Sequence, residues 1–328
     1  MRRRQFISFL SGAAAWPLTA RAQTGSVRRI GVLVGLSEDD PAGKARLSAF
    51  REGLDRLGWS EDRNVRIDYR YAPAASAQQA QVLAKELIAL RPDVILANSP
   101  PVTAALQRET GTIPIVFIGI SDPIGEGFIT SLARPGGNIT GLMNYEPGIT
   151  GKWLAMLKEI APQLARAALV GNPKTTSYEY FVRAAEAATP SLAIEVVQSR
   201  VETAADIERA IESFARVPNG GLVMPPDATT ILHRDLIIAL AARHRLPTVF
   251  AYQFFVAAGG LMSYGTVPVE QYRQIASLFD RILRGASPAD LPVQTPTKYE
   301  TAVNVKTAKA IGLTVPPGLL VAADEVVE

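Results

Sequence analysis

The sequence predicts an α/β protein made of two doubly wound parallel-sheet lobes joined by a hinge. Three observations lead there. From Arg28 onward, short apolar runs alternate with amphipathic stretches, the rhythm of parallel strands joined by helices. That alternation occurs twice at a nearly constant offset. The chain's 328 residues, 48% of them hydrophobic, are enough for two cores of ordinary size.

Residues 1–22, MRRRQFISFLSGAAAWPLTARA, precede the alternation. A basic start, a short apolar stretch from Phe9 to Leu18 and the small-residue ending Ala20-Arg21-Ala22 make a secretory signal, with cleavage expected before Gln23. Arg3-Arg4-Gln5-Phe6-Ile7 is similar to a twin-arginine export signal. The apolar stretch is far shorter than the roughly 20 residues of a membrane-spanning helix.

The first lobe opens with Ile30–Gly35 (IGVLVG), a continuous apolar run suited to a buried parallel strand. Leu47, Phe50, Leu54 and Leu57 then share one helical face between Ala42 and Gly58. Val65–Tyr71, a helix over about 77–90, Asp93–Ala97, a helix from Pro100 and Ile113–Ile118 continue the pattern. The second lobe repeats it. Ala167–Val170, a helix from Tyr178, Ile194–Ser199, a helix from Ala204, Gly221–Met224, a helix over Ala228–His244 and Pro247–Phe250 follow in the same order. Ile30 to Ala167, Val65 to Ile194, Val94 to Leu222 and Ile113 to Leu246 are separated by 137, 129, 128 and 133 residues. This reads as a duplicated unit.

Asn138–Tyr145 bridges the halves without a long linker. Gly259–Gly265 precedes a helix over Val269–Arg284, with Tyr272, Ile275, Phe279, Ile282 and Leu283 as its apolar stripe. Leu291–Thr297 is a Pro-interrupted extended segment able to cross between lobes. The expected organisation is therefore 23–143 plus about 262–288 for lobe 1, and 144–261 plus about 289–328 for lobe 2. Two or three crossovers let such a cleft open and close.

Composition excludes several chemistries. There is no cysteine, so no disulfide scaffold, Cys-ligated metal or thiol nucleophile. The two histidines, His233 and His244, lie on one predicted helix three turns apart, too far to share a metal, and read as exposed positions. Removing Arg2, Arg3, Arg4 and Arg21 with the signal turns 34 basic residues into 30 against 31 acidic. The mature chain then has no footprint for nucleic acid. GxGxxG, P-loop and GxSxG patterns are absent. No cofactor, metal or catalytic set is expected.

Ligands of open α/β sheets bind beyond the carboxyl ends of the strands. There the chain carries Asn98-Ser99-Pro100, where Ser99 caps a helix whose free N–H groups suit a carboxylate. Ser121-Asp122-Pro123 forms a polar turn, with Asp122 either capping it or meeting an ammonium group. Gly171-Asn172-Pro173 leads to Thr176 and Glu179, spaced as a capping box. Pro226-Asp227-Ala228 places Asp227 as an N-cap facing the other lobe, either structural only or also a partner for a ligand amine. Tyr252, Phe254, Phe255 and Tyr264 cluster around the last strand.

The chain also resembles a known family. The residues that carry the likeness are Ile30–Gly35, Phe50-Arg51-Glu52-Gly53-Leu54, Asp122-Pro123-Ile124-Gly125 and Leu132-Ala133-Arg134-Pro135-Gly136-Gly137-Asn138-Ile139-Thr140-Gly141. Ala258–Gly265 and Thr307–Leu313 extend it over the whole mature chain. The chain is similar to the solute-binding proteins of ABC transporters of the tryptophan/tyrosine (aromatic amino acid) type, with the type I periplasmic-binding fold. The resemblance implies a periplasmic, non-enzymatic receptor that captures an amino acid or aromatic carboxylate and delivers it to a membrane permease. Carried onto this sequence, its cleft positions are Ser37, Asn98, Ser99, Ser121, Asn172, Asp227 and Tyr252. The competing readings are a secreted α/β hydrolase or isomerase and a sensory partner of a membrane receptor.

Overall fold

The computed structural model describes residues 27–328 except 62, 73–76 and 147. The predicted export signal at 1–22 lies outside the described residues. Two sheets organise the chain. The first is five-stranded, built from β1 (Arg28–Val34), β2 (Val65–Tyr71), β3 (Val94–Asn98), β4 (Ile115–Ile120) and β5 (Ile139–Met143). Its order is β2-β1-β3-β4-β5 and every pairing is parallel. The apolar runs form these strands because both faces are covered, as a parallel sheet requires.

The helices of this lobe follow the same logic. Asp40 starts α1 (Pro41–Arg56) by accepting from the N–H groups of Ala42 and Gly43. Leu47, Phe50 and Leu54 bury its inner face, while Leu57, expected on that face, lies past the helix and is exposed. Against α1 packs α10 (Pro268–Leu283), with Phe50 edge-on to Phe279 at 4.8 Å between centroids. A Cβ at Gly53 would lie 2.7 Å from the Arg273 carbonyl oxygen, so glycine permits this close approach. On the opposite face lie α2 (Ala77–Ala89) and α3 (Pro100–Glu109), packed over Ile95, Phe117 and Ile139.

The second sheet contains β6 (Arg166–Gly171), β7 (Glu195–Arg200), β8 (Gly220–Met224), β9 (Thr248–Phe250), β10 (Met262–Thr266), β11 (Tyr299–Asn304) and β12 (Glu325–Val327). Its order is β12-β11-β10-β9-β8-β6-β7. The run β7-β6-β8-β9-β10 has the same order and parallel sense as the first sheet, so the two units match strand for strand. β11 then adds antiparallel to β10, extending this lobe alone. α4 (Ile149–Ile160) and α5 (Tyr178–Leu192) cover one face, α6 (Ala204–Ala215) and α8 (Arg234–Arg243) the other.

Four sequence expectations need correcting. Residues 262–266 belong to the second sheet, not to lobe 1, because the apolar Met262–Thr266 strand is held between β9 and β11. Residues 289–294 stay with lobe 1, where Leu291 and Val293 bury in its cores and Gln294 bridges Leu142. The chain thus crosses between lobes three times, after β5, between β10 and α10, and between Gln294 and β11. The expected helix over Ala228–His244 is also divided, into α7 (Ala228–Leu232) and α8, at His233. Both histidines therefore sit half-buried at helix ends rather than exposed along one helix. Among the described residues no His, Asp and Glu group is arranged to hold a metal ion. No helix among them is long and apolar enough to cross a membrane.

Candidate functional site

Both sheets point their strand C-termini into one cleft of about 330 Å³. The first lobe contributes the loops after β1, β3 and β4, and the second lobe those after β6, β8 and β9. This is where the reversal of strand order leaves a crevice in each sheet.

Ser99 is the most unusual residue of the first-lobe wall. Its φ of 90° is left-handed territory for a residue with a side chain, a conformation that costs on the order of 1–3 kcal/mol and concentrates at functional sites. Local bonds hold it. Its N–H donates to the Ile118 carbonyl at 3.1 Å, and its own carbonyl accepts from the Thr103 N–H and hydroxyl. Ser99 begins α3 but its hydroxyl does not cap the helix and has no hydrogen-bond partner among the described residues. The hydroxyl is therefore available to the cleft. Beside it, Asn98 donates to the Tyr272 hydroxyl at 2.7 Å. Ser121, buried at the end of β4, completes this wall.

Asp227 anchors the opposite wall. Its Oδ1 accepts from the Thr230 N–H at 2.8 Å, and its Oδ2 from the Thr175 hydroxyl at 2.6 Å and the Asn172 N–H at 3.1 Å. Burial pushes its carboxyl above the ordinary value, while these donors pull it back. Asp227 thus ties the loop after β6 to the first turn of α7, and Asn172 adds a bond from its amide to Thr229. Tyr252 closes the base, stacked on Phe254 and receiving a 3.5 Å contact from the Asn144 amide. Burial pushes the Tyr252 and Tyr272 phenols up, so both are neutral at ordinary pH.

Asn98, Ser99, Ser121, Asp227 and Tyr252 line the cleft as expected from their strand-end positions. Ser37 and Asn172 do not. Ser37 is exposed in the loop that turns away before α1, and Asn172 is buried as a brace behind the wall. The Thr176–Glu179 capping box is absent. Ser177 is the residue before α5, its hydroxyl donates to Glu126, and Glu179 pairs instead with Arg200 at 2.7 Å. Asp122 does more than cap its turn. Besides accepting from the Gly125 N–H, it forms a 2.6 Å ion pair with Arg183 of α5.

Among the liners that sequence reasoning passed over are Arg46 on α1, Asn144 in the first crossover, and Gln271 and Tyr272 on α10. Gln271 donates to the carbonyls of Met143 and Asn144, fastening α10 to that crossover. The pattern had put Tyr272 in the core stripe of its helix. Its ring is indeed buried, but Asn98 beside it is the polar partner that gives the hydroxyl a cleft role.

The Asp122–Arg183 pair and the Ser177–Glu126 bond both run from one lobe to the other across the cleft rim. Arg183→Glu would set a like charge against Asp122 there. We expect a larger radius of gyration of the unliganded protein by small-angle X-ray scattering at low salt, diminishing as salt screens the repulsion. Identical scattering at low and high salt would show that the rim pair does not hold the lobes.

Residues 29–327 match the family model described as "ABC transporter substrate binding protein". The chain belongs to the ABC transporter substrate-binding protein family. Among curated relatives it is similar to a tyrosine-binding protein of Clostridioides difficile, 24% identical over 85% of this chain and 81% of that one. Among solved structures it resembles a conserved domain protein from Vibrio cholerae, 26% identical with a TM-score of 0.83, covering 92% of this chain and 100% of the other. An ABC domain from Streptococcus pneumonia in complex with L-Trp is 22% identical, with a TM-score of 0.83 and the same coverage. The two matched lobes and their cleft are the type I periplasmic-binding architecture of this family.

Proposed function

We propose that this substrate-binding protein is an exported periplasmic receptor that closes on an amino acid or aromatic carboxylate and presents it to the permease of an ABC transporter. One observation carries the reading: a single cleft is walled by strand ends of both lobes, which are joined by three short crossovers. Contacts made to both walls exist only when the lobes are together, so a ligand that bridges them drives closure. The names of the relatives, one tyrosine-binding and one holding L-Trp, support the ligand class. In this reading Ser99, Asn98 and Ser121 face the carboxylate end, and Asp227 takes the amine with the acceptor position its three donors leave open. Tyr252 flanks the ligand's body. In this reading the ligand is held and released unchanged, the role of a receptor rather than of an enzyme.

Isothermal titration of the chain from residue 23, refolded to remove carried ligand, tests this with L-tyrosine, L-tryptophan and 3-phenylpropionate. We expect saturable binding of at least one, with the compound recovered unchanged. Conversion of the compound, or no binding to any of them, would end the reading.

A further inference from the structure

Three charged side chains line the cleft: Arg46, Lys174 and Asp227. Two are already engaged. Lys174 is paired with Glu202 at 2.6 Å, and Asp227 accepts from Thr230, Thr175 and Asn172. Arg46 has no ion pair or side-chain hydrogen bond among the described residues. It differs in this from every other partly buried arginine described, since Arg28, Arg29, Arg70, Arg166, Arg234 and Arg273 each meet an acid. The remaining described arginines without an acid partner are all exposed.

The acids nearest in sequence are occupied elsewhere. Asp39 is paired with Lys44, and Asp40 caps the start of α1. Glu270, at the start of the adjoining α10, is paired with Arg273. A guanidinium held partly out of water without a counter-ion is an incomplete site, and its planar fork matches a carboxylate with two parallel bonds. Its field already reaches the cleft. The charge of Arg46 opposes the upward push of burial on both the Tyr252 and the Tyr272 phenols. On the same wall stands the unpartnered hydroxyl of Ser99, a second donor for the same anion.

We propose that Arg46 is the counter-ion of the ligand's carboxylate and makes the cleft selective for organic acids over the corresponding amines. This rests on the reading of the cleft as a small-ligand receptor site and names the group that ligand must carry. With Asp227 largely satisfied by its own loop, the carboxylate is the required end of the ligand and the amine an addition to it.

The test uses L-tyrosine, 3-phenylpropionate and tyramine, titrated into the wild type, Arg46→Gln and Arg46→Lys. The wild type should bind the two acids and discriminate against tyramine. Arg46→Gln should lose about 10- to 100-fold in affinity for both acids, the span of one charged hydrogen-bonded contact, with tyramine unmoved. Arg46→Lys should keep the preference for acids at reduced affinity, because it retains the charge and loses the fork. Circular dichroism and the melting temperature establish that each variant is folded. A folded Arg46→Gln that holds the acids within twofold of wild type overturns the assignment and leaves the receptor reading standing. So does a wild type that binds tyramine as tightly as tyrosine. A wild type that binds none of the three takes down the receptor reading and the assignment together.

Discussion

Asp227→Ala is expected to destabilise the protein by about 2–4 kcal/mol in denaturant unfolding, and to remove tyrosine binding altogether. Loss of the cap on α7 costs about 1 kcal/mol, and leaving the buried Asn172 N–H and Thr175 hydroxyl without their acceptor adds about 1–3 kcal/mol. Because those donors lie in the loop after β6, the damage spreads to one wall of the cleft. Asp227→Asn separates the two roles. It keeps an oxygen for the Thr230 N–H but carries no charge, so it should cost less stability while weakening L-tyrosine about tenfold, the size of one charged hydrogen bond. 3-Phenylpropionate, which has no amine, should not respond. Equal losses for both compounds would show that Asp227 only shapes the wall.

Titration of the same residue gives a sign. Burial raises the Asp227 carboxyl above its unfolded value of 3.8, so between the two values the folded state binds more protons than the unfolded one. Its contribution is therefore fully present below about pH 3.8 and is lost as pH rises through the raised value. Relative to Asp227→Asn, the wild type should grow less stable from pH 3 to pH 7. The opposite slope would mean that the donors of Thr175, Thr230 and Asn172 outweigh desolvation.

How much of this was legible in the sequence depends on the range of the interaction concerned. Ile30–Val34, Val94–Ala97 and Leu222–Met224 are apolar without alternation because helices cover both faces of a parallel sheet, so local composition was enough to find them. Strand C-terminal ends, including those of β4 and β9, together with the family resemblance then pointed to Asn98, Ser99, Ser121, Asp227 and Tyr252. Arg46 was invisible to that reasoning. It lies midway along α1, where an arginine reads as part of a solvated face, and only the meeting of α1 with α10 and the cleft gives it another neighbourhood. Tyr272 shows the same limit, since a stripe on a helix reveals that a residue is inward but not that an asparagine of another element waits there. Glu179 failed differently. Its spacing from Thr176 satisfies a capping box, but Arg200 on the neighbouring strand competes for the same carboxylate and wins. The lobe boundary was misread at Met262 because an apolar strand carries no mark of which sheet it will join.

Trp153→Ala should have the largest effect on stability of any substitution considered, about 3–5 kcal/mol for a fully buried indole. Trp153 is 0% exposed on α4 and packs against Tyr145 and Phe181, with centroids 5.5 and 5.8 Å away. Its Nε1 donates to the Tyr264 carbonyl at 2.7 Å. Tyr145 lies just past β5 and Tyr264 just before the end of β10, so one side chain grips the roots of two of the three crossovers. The surroundings leave no room for repacking. A Cβ at Gly265 would come within 1.8 Å of the Ala251 carbonyl oxygen, which also accepts from the Tyr145 hydroxyl at 2.7 Å. Trp153→Phe isolates the hydrogen bond, because it keeps a ring in the core and loses only the donor and part of the volume. We expect it to cost roughly 1–2 kcal/mol, and to speed amide exchange at residues 143–145 and 264–266 more than in the β6–β8 core. Uniform exchange changes across the second lobe would place Trp153 in that core alone. Faster exchange confined to the crossovers would make the indole the fixed point about which the two lobes turn.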